Sequence, residues 1–148
     1  MSNEDKATPT LLYVMKQVEL AVRSHLDDIL RPAGLTALQY TALTVLERHP
    51  NLTSAQLARN SFVTSQSMAD MVTALQEQGL VDRHRDPADR RRLVLTVTAR
   101  GRRLLDKYRG RVAALEAEML AGLTARQAAE LRRSLLSCRA ALAEHPPH

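Results

Sequence analysis

The stretch Asp86-Pro87-Ala88-Asp89-Arg90-Arg91-Arg92-Leu93-Val94-Leu95-Thr96-Val97 is a charged turn running into an alternating strand. It lies inside a longer run, Leu52 to Arg103, that reads as two short helices, a strand, the charged tip and a second strand. A helix pair able to enter a major groove, followed by a β-hairpin with arginines at its end, is the layout of a winged helix-turn-helix. That layout makes double-stranded DNA the first partner to consider.

Each residue of the tip has a physical reason to be there. Pro87 and the small Ala88 suit a turn. Asp89 and Arg91, two apart, can pair and so hold the arginine extended. An extended arginine at a hairpin tip fits a narrow minor groove, where A·T stretches deepen the negative potential. Arg90 and Arg92 would then lie along phosphates. Behind the tip, Leu93, Leu95 and Val97 alternate with Val94 and Thr96, so one face is expected to pack inward.

Upstream, a helix is expected over about Ser65 to Gln78, stopped by Gly79 at a left-handed C′ position. Met68, Met71, Val72 and Leu75 fall on one face and should meet the core. Ser65, Gln66, Ser67, Asp70 and Thr73 fall on the other. Gln66 is near the helix start, where a recognition helix meets base edges, and its amide can pair with adenine N6 and N7. Ser65 and Ser67 can bond a base or a phosphate. Asp70 sits less easily beside phosphates, and would either accept from cytosine N4 or orient a neighbouring arginine.

Working outward, Leu-Thr-x-x-Gln recurs at Leu35–Gln39, Leu52–Gln56 and Leu123–Gln127. In each, Thr can cap free N–H groups of a first helical turn while Gln at N3 reaches back. Thr64 and Thr98 are further N-caps by the same logic. Six helices follow: about Pro9 to Arg31, Thr36 to Arg48, Ser54 to Asn60, Ser65 to Gln78, Ala99 to Leu120, and Ala125 to Ala143. Strands are expected near Val81–Arg85 and Leu93–Thr98, and the tail His145-Pro146-Pro147-His148 should fray. Leu11, Met15, Val18, Val22, Leu26 and Ile29 form an apolar stripe on the first helix, and Ala128, Leu131, Leu135, Cys138 and Leu142 form one on the last. Such long apolar outer helices point to pairing with a second copy, a symmetry that suits a pseudo-palindromic operator. The expected fold is mainly α with a small β wing. It is one domain over 1–148, with a DNA-binding region over 36–98 and dimerisation helices over 9–31 and 99–143.

The composition agrees. The chain has 148 residues, 45% of them hydrophobic, with three Tyr, one Phe and no Trp, so the core must be largely Leu, Val, Ala and Met. Net charge is +5, but Asp82 to Arg111 alone carries eleven cations against four acids. A localised excess of this kind favours phosphate contact. One cysteine, Cys138, allows no internal disulfide and fits a reducing cytoplasm, where the protein would associate with the nucleoid. No stretch is long and apolar enough to span a bilayer, and the first residues lack signal-peptide character. The sequence has no Gly-rich phosphate loop, no nucleophile elbow and no close Cys–His or carboxylate pair, so an enzyme is not expected. The five histidines lack zinc-site spacing, and neither metal nor cofactor is expected.

Together, Leu52-Thr53-Ser54-Ala55-Gln56-Leu57-Ala58, Val63-Thr64-Ser65-Gln66-Ser67-Met68, Leu75-Gln76-Glu77-Gln78-Gly79-Leu80-Val81, Asp86-Pro87-Ala88-Asp89-Arg90-Arg91 and Leu95-Thr96-Val97-Thr98-Ala99-Arg100-Gly101 resemble the MarR family of transcriptional regulators. The resemblance implies a homodimeric winged helix-turn-helix whose interface is built from the first and last helices. It puts the family's Asp-x-Arg wing motif on Asp89 and Arg91 and its recognition helix on Ser65–Gln78. It implies a sequence-specific repressor released by a small phenolic or anionic ligand; a non-specific architectural DNA-binding protein is the alternative. The chain departs from the pattern in two places. Position 70 is often basic or neutral in the family and is Asp here. The first helix lacks the reactive cysteine of peroxide-sensing members, and Cys138, on an apolar stripe, reads as a buried inert thiol. The family's effector pocket lies where dimer helices meet the wing domain. His25 and Tyr40 either line such a pocket, bonding an acidic or phenolic effector, or make an ordinary helix–helix contact.

Overall fold

The computed structural model describes residues 7–61 and 63–143. The histidine-proline tail expected to fray lies outside them. Among the described residues these elements follow in order: α1 (Leu11–Leu30), a 3-10 turn (Arg31–Ala33), α2 (Ala37–Arg48), α3 (Ser54–Asn60), α4 (Ser65–Glu77), β1 (Val81–Arg85), β2 (Leu93–Val97), α5 (Ala99–Met119) and α6 (Ala125–Ala143). The six expected helices and the hairpin are all present, within a residue or two at each end.

Local chemistry sets the boundaries. Pro32 lacks an N–H and Gly34 takes φ 70°, which turns the chain out of α1. All three Leu-Thr-x-x-Gln motifs form reciprocal capping boxes. Gln39, Gln56 and Gln127 each accept, at 2.9 Å, from the backbone N–H of the threonine three residues earlier. The threonine hydroxyls accept back from Gln39, Gln56 and Gln127 N–H at 3.1–3.2 Å. Asp27 on α1 accepts from Ala37 N–H at 2.7 Å, which ties α1 to the first turn of α2. Gly79 ends α4 at φ 73° and lets Leu80 N–H reach Leu75 C=O at 3.0 Å.

The hairpin pairs Val81 with Val97 and Arg85 with Leu93, antiparallel throughout. Leu95 also bridges Leu52, donating to its carbonyl at 2.8 Å, so the segment before α3 adds a third short strand edge. The expected alternation holds only in part. Leu95 and Val97 are buried, but so is Val94, while Leu93 is exposed. Leu93 pairs with Arg85 at the outer end of the hairpin, beyond the reach of the core.

The core gathers Leu43 and Leu46 of α2, Leu57 of α3, Met68, Val72 and Leu75 of α4, Leu95 of β2 and Leu105 of α5. Tyr40 and Tyr108 are its only aromatic members among the described residues. The outer helices are different. Leu11 and Leu12 of α1 are each 82% exposed, and α6 buries no residue at all. Cys138 is exposed, which corrects the expectation of a buried thiol. The stripe that carries it faces away from the single chain's core, so periodicity located the stripe without supplying a cover for it.

Candidate nucleic-acid interface

The two faces of α4 separate cleanly. Met68, Val72 and Leu75 are fully buried, whereas Ser65, Gln66, Ser67, Asp70 and Thr73 are all exposed. Thr64 caps the helix, accepting from Ser67 N–H at 3.1 Å and donating to Ser67 Oγ at 3.0 Å. Ser67 is thus partly committed to the cap. Thr73 donates back to Ala69 C=O at 3.0 Å, which ties up its only donor. Gln66 donates from Nε2 to Asp70 Oδ1 at 3.2 Å, one helical turn on. Of the two roles expected for Asp70, the intrachain one falls on a glutamine and not on an arginine. A carboxylate accepts only from the NH₂ side of an amide, so Asp70 fixes which way Gln66 points. Its remaining N–H and its Oε1 stay available, the pair that matches adenine N7 and N6. The spacing of four, which brings Gln and Asp together on a helix, was the signal in the sequence.

The wing tip is built from its own aspartates. Asp86 Oδ1 accepts from Ala88 N–H at 2.9 Å, and Asp86 N–H donates to Arg92 C=O at 2.9 Å, closing the turn. Asp89 Oδ1 accepts from Arg91 N–H at 3.1 Å and from Arg91 Nε at 3.2 Å. Arg91 nevertheless has a side chain 92% exposed. An ion pair this open adds little stability. Its effect is directional, since Nε is engaged and the two Nη groups are left facing solvent. Arg90 is exposed, and its carbonyl accepts from Arg85 Nη1 at 2.8 Å.

Arg92 is placed differently from its neighbours. Its Nη1 pairs with Asp86 Oδ2 at 3.2 Å, and its Nη2 donates to Gln56 Oε1 at 3.1 Å. Gln56 is also the capping residue of α3, so Arg92 ties the wing to the helix that leads into α4. Gln56 and Asp86 thus join the site as positioning residues that sequence reading missed. A separation of 36 positions between Gln56 and Arg92 leaves no local signal.

His25 and Tyr40 have different surroundings. His25 lies on a cavity of about 280 Å³ between α1 and α5, beside Val22, Leu115 and Glu118. Tyr40 is buried in the core, and burial raises its phenol above the usual range. Near it, Arg109 of α5 pairs with Glu47 of α2 and, at 2.9 Å, with Asp106, and these hydrogen bonds hold the guanidinium firmly charged. Tyr40 therefore sits where α2 is fastened to α5.

No helix among the described residues is long and apolar enough to cross a membrane. The pattern described as MarR family matches residues 33–92, from the end of the 3-10 turn through the wing tip. The HTH-type transcriptional repressor Rv2887 of Mycobacterium tuberculosis is 37% identical over 123 residues, covering 83% of this chain and 88% of that protein. The crystal structure of Rv2887 in complex with salicylic acid superposes with a TM-score of 0.70 at 36% identity, over 88% of this chain and 97% of that one. CouR from Rhodococcus jostii RHA1, bound to p-coumaroyl-CoA, superposes with a TM-score of 0.79 at 27% identity, over 85% of this chain and 89% of that one. With its capped helix pair, its arginine-tipped wing and these relatives, the chain belongs to the MarR family of transcriptional regulators.

Proposed function

We propose that this protein is a sequence-specific DNA-binding repressor that acts as a homodimer and is released by a small organic ligand. The observation that carries the proposal is the wing tip. Arg91 is held outward by Asp89, on the same body as the exposed polar face of α4. In this reading Arg91 enters the minor groove, Ser65, Gln66 and Ser67 address the major groove, and Arg90 follows the phosphates. Arg92, Asp86 and Gln56 hold the wing at its angle. The region 36–98 is the DNA-binding part, and 9–31 with 99–143 are the dimerisation helices.

The dimer has an energetic argument. Leu131, Leu135 and Leu142 of α6 and Leu11, Leu12 and Met15 of α1 are exposed in the single chain. Covering an apolar side chain of this size contributes roughly 1.5–3 kcal/mol. A 19-residue helix that buries none of its residues draws little support from its own chain, and in proteins most helical stability comes from packing an amphipathic face. A second copy supplies the cover. The relatives that bind salicylic acid and p-coumaroyl-CoA support an organic, anionic effector. Such a ligand weakens DNA binding by as much as it prefers the dimer geometry that does not fit DNA.

The reading is tested by competition: the protein should prefer its own upstream region over bulk genomic DNA by at least about 10³-fold. A flat preference would instead indicate an architectural DNA-binding protein. Two substitutions probe base reading. Gln66→Ala should cost roughly 1–3 kcal/mol at one base position and little elsewhere, measured by quantitative binding to single-base operator variants. Equal loss on all variants would reject Gln66 as a reader. Asp70→Asn should blur discrimination at the same base, because Asn accepts either end of the Gln66 amide. It should also tighten binding to random DNA, because one negative charge per protomer leaves the phosphate field. Unchanged discrimination would show that Asp70 does not position Gln66.

A further inference from the structure

The charge of α5 is divided along its length. From Ala99 to Arg111 the helix carries six cations and one acid; from Val112 to Met119 it carries two acids and no cation. Arg109 is taken up by Glu47 and Asp106. Arg100, Arg102, Arg103, Lys107 and Arg111 are exposed and have no ion-pair partner among the described residues, although Arg23, Arg31, Arg91, Arg92 and Arg126 all have one. Helix-end electrostatics does not account for them. Free N–H groups make a helix start positive, so acids suit a first turn and cations do not. The first turn of α5 has no acid and holds Arg100 and Arg102. That placement works against the helix and calls for an anion from outside the chain.

Four of these cations share one face. At about 100° per residue, Arg100, Arg103, Lys107 and Arg111 fall within about 80° of arc, and no acid enters that arc before Glu118. The face adjoins the one that buries Gly101, Leu105 and Tyr108. The stripe is fixed to the DNA-reading elements at its lower end. Thr98, which caps α5, donates from N–H to Leu80 C=O at 3.0 Å and from Oγ1 to Gly79 C=O at 2.7 Å. Arg100 itself lies against Gly79, at the end of α4. Between the wing tip and this junction, β1 exposes Arg83 and Arg85. The stripe rises about 16 Å along the helix, a length matched by roughly five phosphates of one DNA strand.

We infer that the basic stripe of α5 is a second DNA-contacting surface, which holds the phosphate backbone of duplex lying beyond the half-sites and curved toward the body of the protein. The stripe continues the positive edge of the wing and has the repeat and length of a polyanion contact. It has no polar pattern for base edges, so it adds affinity without sequence preference. The inference rests on the proposed DNA binding, and goes beyond it in extending the contact past the wings and α4.

The test compares two duplexes from the protein's own upstream region. One is trimmed to the outer edges of the protections that Arg91→Ala removes; the other keeps about 15 base pairs of flank on each side, of scrambled sequence. The flanked duplex should bind at least about fivefold more tightly, with a steeper slope of log affinity against log salt. Arg103→Gln combined with Lys107→Gln should abolish that gain, flatten the extra slope by about 3–4 for the dimer, and leave the trimmed duplex unaffected. Arg126→Gln combined with Arg133→Gln removes the same charge from the face of α6 opposite its apolar stripe, and should keep the gain. Circular dichroism checks that the helices persist. An acidic protein segment is the other reader of such a stripe, and it predicts no dependence on flank length. No gain from the flanks, a gain that survives the α5 variant, or equal losses from the α5 and α6 variants would overturn the inference while leaving base reading intact. Failure to bind either duplex would overturn both.

Discussion

Arg91→Ala is expected to lower affinity for operator and random duplex alike, by roughly 1–3 kcal/mol for each wing. Arg91 is the most exposed charged side chain of the wing's ion pairs, and its partner Asp89 directs it without burying it. Its contribution therefore appears on DNA and not in folding. Each protomer loses one cation, so the slope of log affinity against log salt should shrink by about 2 for the dimer. The thermal midpoint should not move, because the contact is open to solvent. Fluorescence anisotropy across a salt series reads affinity and slope together. An unchanged slope would mean that the wing tip does not reach the duplex. Arg92→Ala is the useful contrast. Its guanidinium is spent on Asp86 and Gln56, so its loss acts through the angle of the wing.

Gly101→Ala is expected to be the most damaging single-methyl change to the fold. A Cβ at Gly101 would stand 2.4 Å from Leu80 O and 2.7 Å from Val97 Cγ1. The first neighbour is backbone and is not free to retreat. Leu80 C=O accepts from Thr98 N–H at 3.0 Å, and Thr98 Oγ1 holds Gly79 C=O at 2.7 Å. Making room would separate the start of α5 from the hairpin. Overpacking at such a site costs about 3 kcal/mol or more, which lowers the melting temperature of a chain this size by roughly 6–12 °C. Gly110→Ala, on the same helix with nothing within 4 Å, should be neutral or stabilising by up to about 1 kcal/mol. Melting curves of the two variants decide the matter. Equal midpoints would show that the approach of α5 to the hairpin is looser than described.

Much of this architecture is legible in the chain because its signals are local. The three Leu-Thr-x-x-Gln motifs mark helix starts through bonds spanning three residues, and all three form. Gly79 and the Asp86-to-Arg92 turn are equally self-contained. What escapes the sequence depends on elements meeting at a distance. The Leu52–Leu95 bridge and the Gln56–Arg92 bond join segments about forty residues apart, and nothing in either segment announces the other. Arg92, grouped by its neighbours with the phosphate contacts, also bonds Asp86 and Gln56. The Cys138 stripe was found by its period, but a period does not say whether the cover comes from the same chain or another. His25 and Tyr40 differ in surroundings that the sequence does not separate. One lies on the α1–α5 cavity, the other inside the core, and helix register alone could not tell these apart.

In the proposed complex two copies grip one duplex through paired wings and inserted helices. Hydroxyl-radical footprinting on the protein's own upstream region, with Arg91→Ala alongside, distinguishes this complex from others. Two symmetric minor-groove protections, flanking half-sites one helical turn or a multiple of about 10 base pairs apart, and both lost in the variant, are the expected result. A single protection, or a pattern that persists without Arg91, would show that the paired wings do not hold the duplex.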